Sequence, residues 1–158
     1  MIRYKQLITL EVLDKKTKKL IGRILDVSYS DNFKKINFLI VKNDKIIKNK
    51  LSIPYRGINL PKNNEVIYVE DIDVFQYKID EDSKSKYKFI NKEIRLEDGE
   101  CVGYVKDIVI NKEDGSIHGF IITEGLFEDL IKGRNYIPLL RNVHINKDYI
   151  HMPYKYLI

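Results

Sequence analysis

The chain has 158 residues, 44% hydrophobic and 32% charged, with 25 Ile, 11 Tyr, 6 Phe and neither Ala nor Trp; that supplies one core or two very small ones and excludes a disordered chain and a helical bundle. The net charge of +5 is unevenly placed: residues 1–80 carry 16 Lys/Arg against 10 Asp/Glu, a surplus of +6, and residues 81–158 carry 12 against 13, giving −1. Lys outnumbers Arg 22 to 6, which weighs against bidentate reading of phosphates or bases, where Arg is favoured.

The longest apolar run, Phe38-Leu39-Ile40-Val41, falls far short of the roughly 20 residues of a membrane span. The opening Met1-Ile2-Arg3-Tyr4-Lys5 lacks the apolar stretch of a secretory signal. Cys101 is the only thiol, so neither an internal disulfide nor a structural zinc site is expected. A cytoplasmic protein without cofactors follows.

In chain order, the elements of the first half return in the second. Upstream, Leu7-Ile8 matches Phe89-Ile90 at an offset of 82. Leu20-Ile21-Gly22-Arg23-Ile24-Leu25-Asp26-Val27 aligns with Cys101-Val102-Gly103-Tyr104-Val105-Lys106-Asp107-Ile108 at an offset of 81. Alternation puts Ile21, Leu25 and Val27 on one face, interrupted by Arg23, and Gly22, Ile24 and Asp26 on the other. The Gly inside each strand marks a bulge or bend. At the same offset Ile36-Asn37-Phe38-Leu39-Ile40-Val41 matches Ile117-His118-Gly119-Phe120-Ile121-Ile122, and Asp114-Gly115 predicts a hairpin turn before the latter. Third strands end at Ile53-Pro54 and Ile137-Pro138, where Pro belongs at an edge or a strand end. Last short strands follow Asn63-Asn64 and Asn146-Lys147-Asp148.

Helix is confined to one turn from Leu126 to Lys132, stopped by Gly133. Asp80 to Lys86 is polar and aperiodic. The chain therefore divides into repeat 1 (1–79), a linker (80–86) and repeat 2 (87–158), a tandem duplication. Units of about 70 residues have marginal cores alone, so the two are expected to pack together or find partners.

This order of motifs resembles the PRC-barrel family: apolar-Gly-x-apolar-x-Asp-apolar at Ile21–Val27 and Val102–Ile108, a hairpin, an apolar strand from Ile36 or Ile117, and a closing apolar-Pro segment. The resemblance covers roughly residues 4–72 and 86–154. Members include the cytoplasmic domain of the photosynthetic reaction centre H subunit and the C-terminal domain of a ribosome-maturation factor. It implies an all-β protein of two tandem small β-barrels with little helix, used as an adaptor and not as a catalyst. The residues after each closing Pro, Tyr55-Arg56 and Leu139-Leu140, depart from the aromatic or acidic residues often found there.

The candidate residues fall into few groups. Gly22, Asp26, Gly103 and Asp107 read as structural, Gly allowing a bend and Asp bonding nearby backbone N–H groups; the two Asp, placed in separate barrels, are not a catalytic pair. His118, His144 and His151 lack the spacing of a helical metal pair, and His118 is expected to face solvent. Cys101 aligns with apolar Leu20 and reads as a small buried hydrophobe. Lys42, Lys45, Lys48 and Lys50, with Arg56, form a basic stripe that could contact anions or RNA while Tyr55 stacks on a base; as edge lysines they would instead deter sheet pairing. No catalytic, cofactor or metal residues are expected. The partner is an unidentified protein contacted through Phe38, Ile40, Phe120 or Ile122 if exposed, with homo-oligomer formation possible; the alternative is RNA or the ribosome.

Overall fold

The structure, a computed structural model of the whole chain, describes residues 1–43, 50–63, 65–70, 88–123 and 136–153. It is built almost entirely of strands arranged in two curled sheets. The first contains β2 (Glu11–Asp14), β3 (Leu20–Tyr29), β4 (Ile36–Lys42), β5 (Lys50–Pro54), β6 (Ile58–Asn59) and β7 (Val66–Val69), in the order β5-β4-β3-β2-β7-β6. The second contains β8 (Glu93–Arg95), β9 (Cys101–Ile110), β10 (Ile117–Ile122), β11 (Tyr136–Pro138), β12 (His144–Ile145) and β13 (Tyr149–His151), in the order β11-β10-β9-β8-β13-β12. The two orders are the same. In each sheet one pair is parallel, β2 with β7 (Val12 opposite Ile67) and β8 with β13 (Ile94 opposite Ile150), and the rest are antiparallel.

Both proline-ended strands, β5 and β11, lie at the end of their sheet, where a missing backbone donor is tolerated. The Asp114-Gly115 turn forms as expected: Gly115 has φ +75°, and the Asp114 carboxylate accepts hydrogen bonds from the backbone and hydroxyl of Ser116. Leading into the first sheet are a short strand, β1 (Ile2–Arg3), and one helical turn, α1 (Tyr4–Leu7). Neither has a sequence signal. The helical turn expected from Leu126 to Lys132 and the linker 80–86 lie outside the described residues.

The expected faces of β3 need correction. Ile24 is buried and Leu25 is 45% exposed, the reverse of simple alternation. Opposite β4 the register runs Ile24–Val41 and then Asp26–Ile40, leaving Leu25 as an extra residue; opposite β2, Gly22–Val12 is followed by Leu20–Leu13, leaving Ile21. Each bulge inverts the in–out phase, so Ile21, Ile24 and Val27 are all buried. The second sheet repeats both irregularities, with Lys106 and Val102 as the extra residues.

The strand shape shared by the two halves also explains the two glycines. At Gly22 an added Cβ would lie 1.9 Å from the Lys42 carbonyl oxygen, so the end of β4 can approach only a residue without a side chain. Gly103 has φ +154° and its Cβ would sit 3.2 Å from the Thr123 carbonyl. Backbone blocks a side chain at Gly22, whereas at Gly103 the positive φ is the main constraint and the contact is only tight. The substitution Gly22→Ala should therefore lower unfolding stability by about 3 kcal/mol, the upper range for overpacking, measured by urea denaturation; an unchanged midpoint would show that β4 does not need this close approach.

One hydrophobic core runs through both sheets. Phe89, just ahead of the second sheet, packs edge-on against Tyr29 of the first at 4.8 Å between centroids and lies 5.4 Å from Phe120. Full burial of each such side chain contributes roughly 1.5–3 kcal/mol. Sharing them offsets the thin core that either half would have alone.

Candidate functional site

Both sheets meet along a seam at the loops joining β3 to β4 and β9 to β10. Lys35 bridges Ser116 in antiparallel fashion, flanked by Ile36 N–H donating to Gly115 O (2.9 Å) and Ile117 N–H donating to Lys34 O (2.8 Å). An offset of 81 converts each of these bonds into the other. The seam thus has an approximate two-fold axis through the Lys35–Ser116 bridge.

The repeated aspartates belong to this seam. Each follows a bulge and accepts the next backbone N–H, Val27 at 2.8 Å for Asp26 and Ile108 at 2.9 Å for Asp107. Their remaining bonds cross between halves. Lys5 N–H, ahead of the first sheet, donates to Asp107 at 3.1 Å, while Lys88 Nζ, ahead of the second, pairs with Asp26 at 2.7 Å. Tyr4 Oη also donates to Asp26, at 3.0 Å. Although they lie on different sheets, the two carboxylates converge on the consecutive residues Tyr4 and Lys5. Burial and the nearby Asp26 and Asp107 charges raise the Tyr4 phenol far above its ordinary range, keeping it a neutral donor. β1 extends the crossing by pairing with β9, Ile2 opposite Ile110.

Tyr55 closes the other end of the seam, and its expected role is overturned. It is 3% exposed, its ring lies under Gly115, and its hydroxyl donates to the Lys112 carbonyl at 3.0 Å. A side chain so enclosed cannot stack on a base. Lys112 reciprocates, its Nζ donating to Pro61 O at 2.8 Å.

Of the basic stripe, the described members do not form one cluster. Lys42 and Lys50 sit opposite each other at one end of the β4–β5 pair, both exposed. Arg56 is exposed in a 3₁₀ turn (Tyr55–Gly57) beyond the other end of β5, more than about 13 Å along the strand at 3.3 Å per residue. It lines a cleft of about 1050 Å³ between the Arg56–Lys62 stretch and the Asn111–Glu113 turn, together with Lys62 and Met1. Lys45 and Lys48 lie outside the described residues.

The apolar contact candidates also change. Ile40, Phe120 and Ile122 are buried, at 6%, 0% and 2% exposure, and Phe38 is half-buried. Exposed apolar side chains lie instead on the outer face of the first sheet, and in the second half at Tyr104 of β9 and at Leu140. On the first sheet Leu20, Leu13 and Tyr68 form one cross-strand row, with Leu20 50% exposed and Leu25 further along β3. Charged groups rim the row: Lys18 lies 4.3 Å from the Tyr68 ring centroid, and Arg23 pairs with Glu11 at 3.1 Å.

The equivalent row of the second sheet is polar, consisting of Cys101, Arg95, His151 and His144. Arg95 pairs with Glu93 at 2.7 Å and stacks 4.6 Å above the Tyr149 ring; the guanidinium holds the Glu93 carboxyl below its usual range. Cys101 is half-exposed at the start of β9, not the buried thiol expected. His118 is exposed, its Nδ1 2.6 Å from Tyr136 Oη. His144 and His151 face each other across β12 and β13, a juxtaposition hidden in the sequence by the intervening turn. Among the described residues no three His, Cys, Asp or Glu side chains converge as metal ligands, and no helix is long and apolar enough to cross a membrane.

The Tyr55 lock makes a pH-dependent prediction. Burial and the Asp114 charge push its phenol up to about 12, whereas the unfolded chain ionises near 10. Above pH 10 the unfolded state gives up this proton first, so stability falls as pH rises from about 10 to 12. Urea denaturation at pH 8 and 11 should show a larger loss for the wild type than for Tyr55→Phe; equal losses would contradict the buried hydroxyl.

The family model for the PRC-barrel domain matches residues 81–156. No curated protein matches the chain.

Proposed function

We propose, from the membership of residues 81–156 in the PRC-barrel family, that the chain is a non-enzymatic adaptor that docks a protein partner on the outer face of its first sheet. The family is a non-catalytic one. Residues 1–79 serve as a second PRC-barrel-like unit, joined through 80–86 to 87–158; the common strand order and the offset of 81 support this division.

The observation that carries the docking reading is the Leu20–Leu13–Tyr68 row with Leu25 beside it. An apolar centre rimmed by Lys18, Arg23 and Glu11 has the composition of a protein interface, with aromatic and aliphatic anchors inside and charge outside. The seam is already consumed between the halves, leaving outward faces for partners in the cytoplasm. Binding to RNA or the ribosome is the alternative, resting on the adjacent Lys42 and Lys50 and on Arg56. It is the weaker reading because these cations do not share one surface.

Affinity capture from native extract separates the two readings. Leu20→Asp with Leu25→Asp changes exposed positions, so the fold should survive by circular dichroism while the captured protein set, further copies of this chain included, is lost. Lys42→Glu with Lys50→Glu should leave that set intact. Capture that survives the first variant, yet disappears with the second and weakens steeply with salt, would favour nucleic acid.

A further inference from the structure

We propose that the β12–β13 hairpin binds a borderline divalent transition cation, of the Zn²⁺, Ni²⁺ or Cu²⁺ class, through the imidazoles of His144 and His151. The two residues are directly opposed in an antiparallel pair, which brings side chains together on one face. Their ring centroids are 6.3 Å apart with the planes inclined by 35°. With metal–nitrogen bonds of about 2.1 Å, tetrahedral ligation needs centroids about 5.2 Å apart. Closing by about 1 Å asks only a modest side-chain rotation of an exposed and a half-buried residue.

The surroundings permit a cation. The guanidinium of Arg95, beside His151 on β8, is paired with Glu93 and stacked on Tyr149, so its charge is balanced locally. Two imidazoles leave coordination positions for water, giving modest affinity, tightest for Cu²⁺ by the usual order of divalent metals. Because β12 is the terminal strand of its sheet, the metal would clamp an otherwise thinly held edge. The first sheet has no such pair: Asn59 and Tyr68 occupy the equivalent positions.

Zn²⁺ titration of the full chain by calorimetry tests this, with melting followed in parallel. Wild type and His118→Ala should bind one Zn²⁺ each and melt at a higher temperature with the metal present. His144→Ala and His151→Ala should each weaken binding at least about tenfold and abolish that rise. If His151→Ala does not fold, His144→Asn, copying Asn59, makes the same decision. Absence of saturable binding up to about 1 mM, where affinity would be negligible, or equal affinity in the wild type and both site variants, would overturn the proposal.

Discussion

Two backbone hydrogen bonds, one on either side of the Lys35–Ser116 bridge, tie the first sheet to the second, and the remaining architecture is organised around them. Two backbone bonds by themselves contribute modestly, since folding exchanges bonds to water for bonds within the chain. Here the pair is backed by crossed polar contacts, Lys5 to Asp107 and Lys88 to Asp26, and by Phe89 inserted between Tyr29 and Phe120. Each half thereby completes the other. Neither has to supply a whole core from about 70 residues.

Using the seam internally has a consequence for function. Surfaces that could have joined separate molecules are spent within one chain, and the free outer faces have taken different characters. The first carries Leu20, Leu13 and Tyr68, while the second carries Cys101, Arg95, His151 and His144 at the same positions. The shared backbone thus presents an apolar strip on one sheet and a polar, histidine-bearing row on the other, which supports the proposed adaptor role.

Much of the strand framework was legible because β-structure is written locally, in short apolar runs separated by turn residues such as Asp114-Gly115. The shared offset of 81 located β3, β4, β9 and β10 directly. Gly22 and Gly103 announced the bulges beside them, at Ile21 and Val102, but nothing about Leu25 or Lys106 announces the second bulge of each strand, which shifts the phase again. Grouping Leu25 with Ile21 and Val27, and Ile24 with Gly22 and Asp26, followed from ignoring that shift. The parallel closure of β2 on β7, the addition of β1 to β9 and the convergence of Asp26 and Asp107 on Tyr4 and Lys5 are long-range facts that local pattern does not encode. Tyr55 was misjudged for the same reason, since its burial comes from Gly115, 60 residues away in the chain. The His144–His151 pair could have been inferred by folding the last two strands about the Asn146-Lys147-Asp148 turn, a step that needs their register.

Native-state hydrogen exchange at the Ile36 and Ile117 amides tests the central claim most directly, because these N–H groups make the paired backbone bonds that flank the Lys35–Ser116 bridge between the two sheets. If the halves form one cooperative body, both amides exchange only through global unfolding, with the same free energy as buried amides of β3 and β9. Exchange of either amide through a smaller opening, while the interiors of both sheets stay protected, would contradict the account and describe two independent units that merely touch.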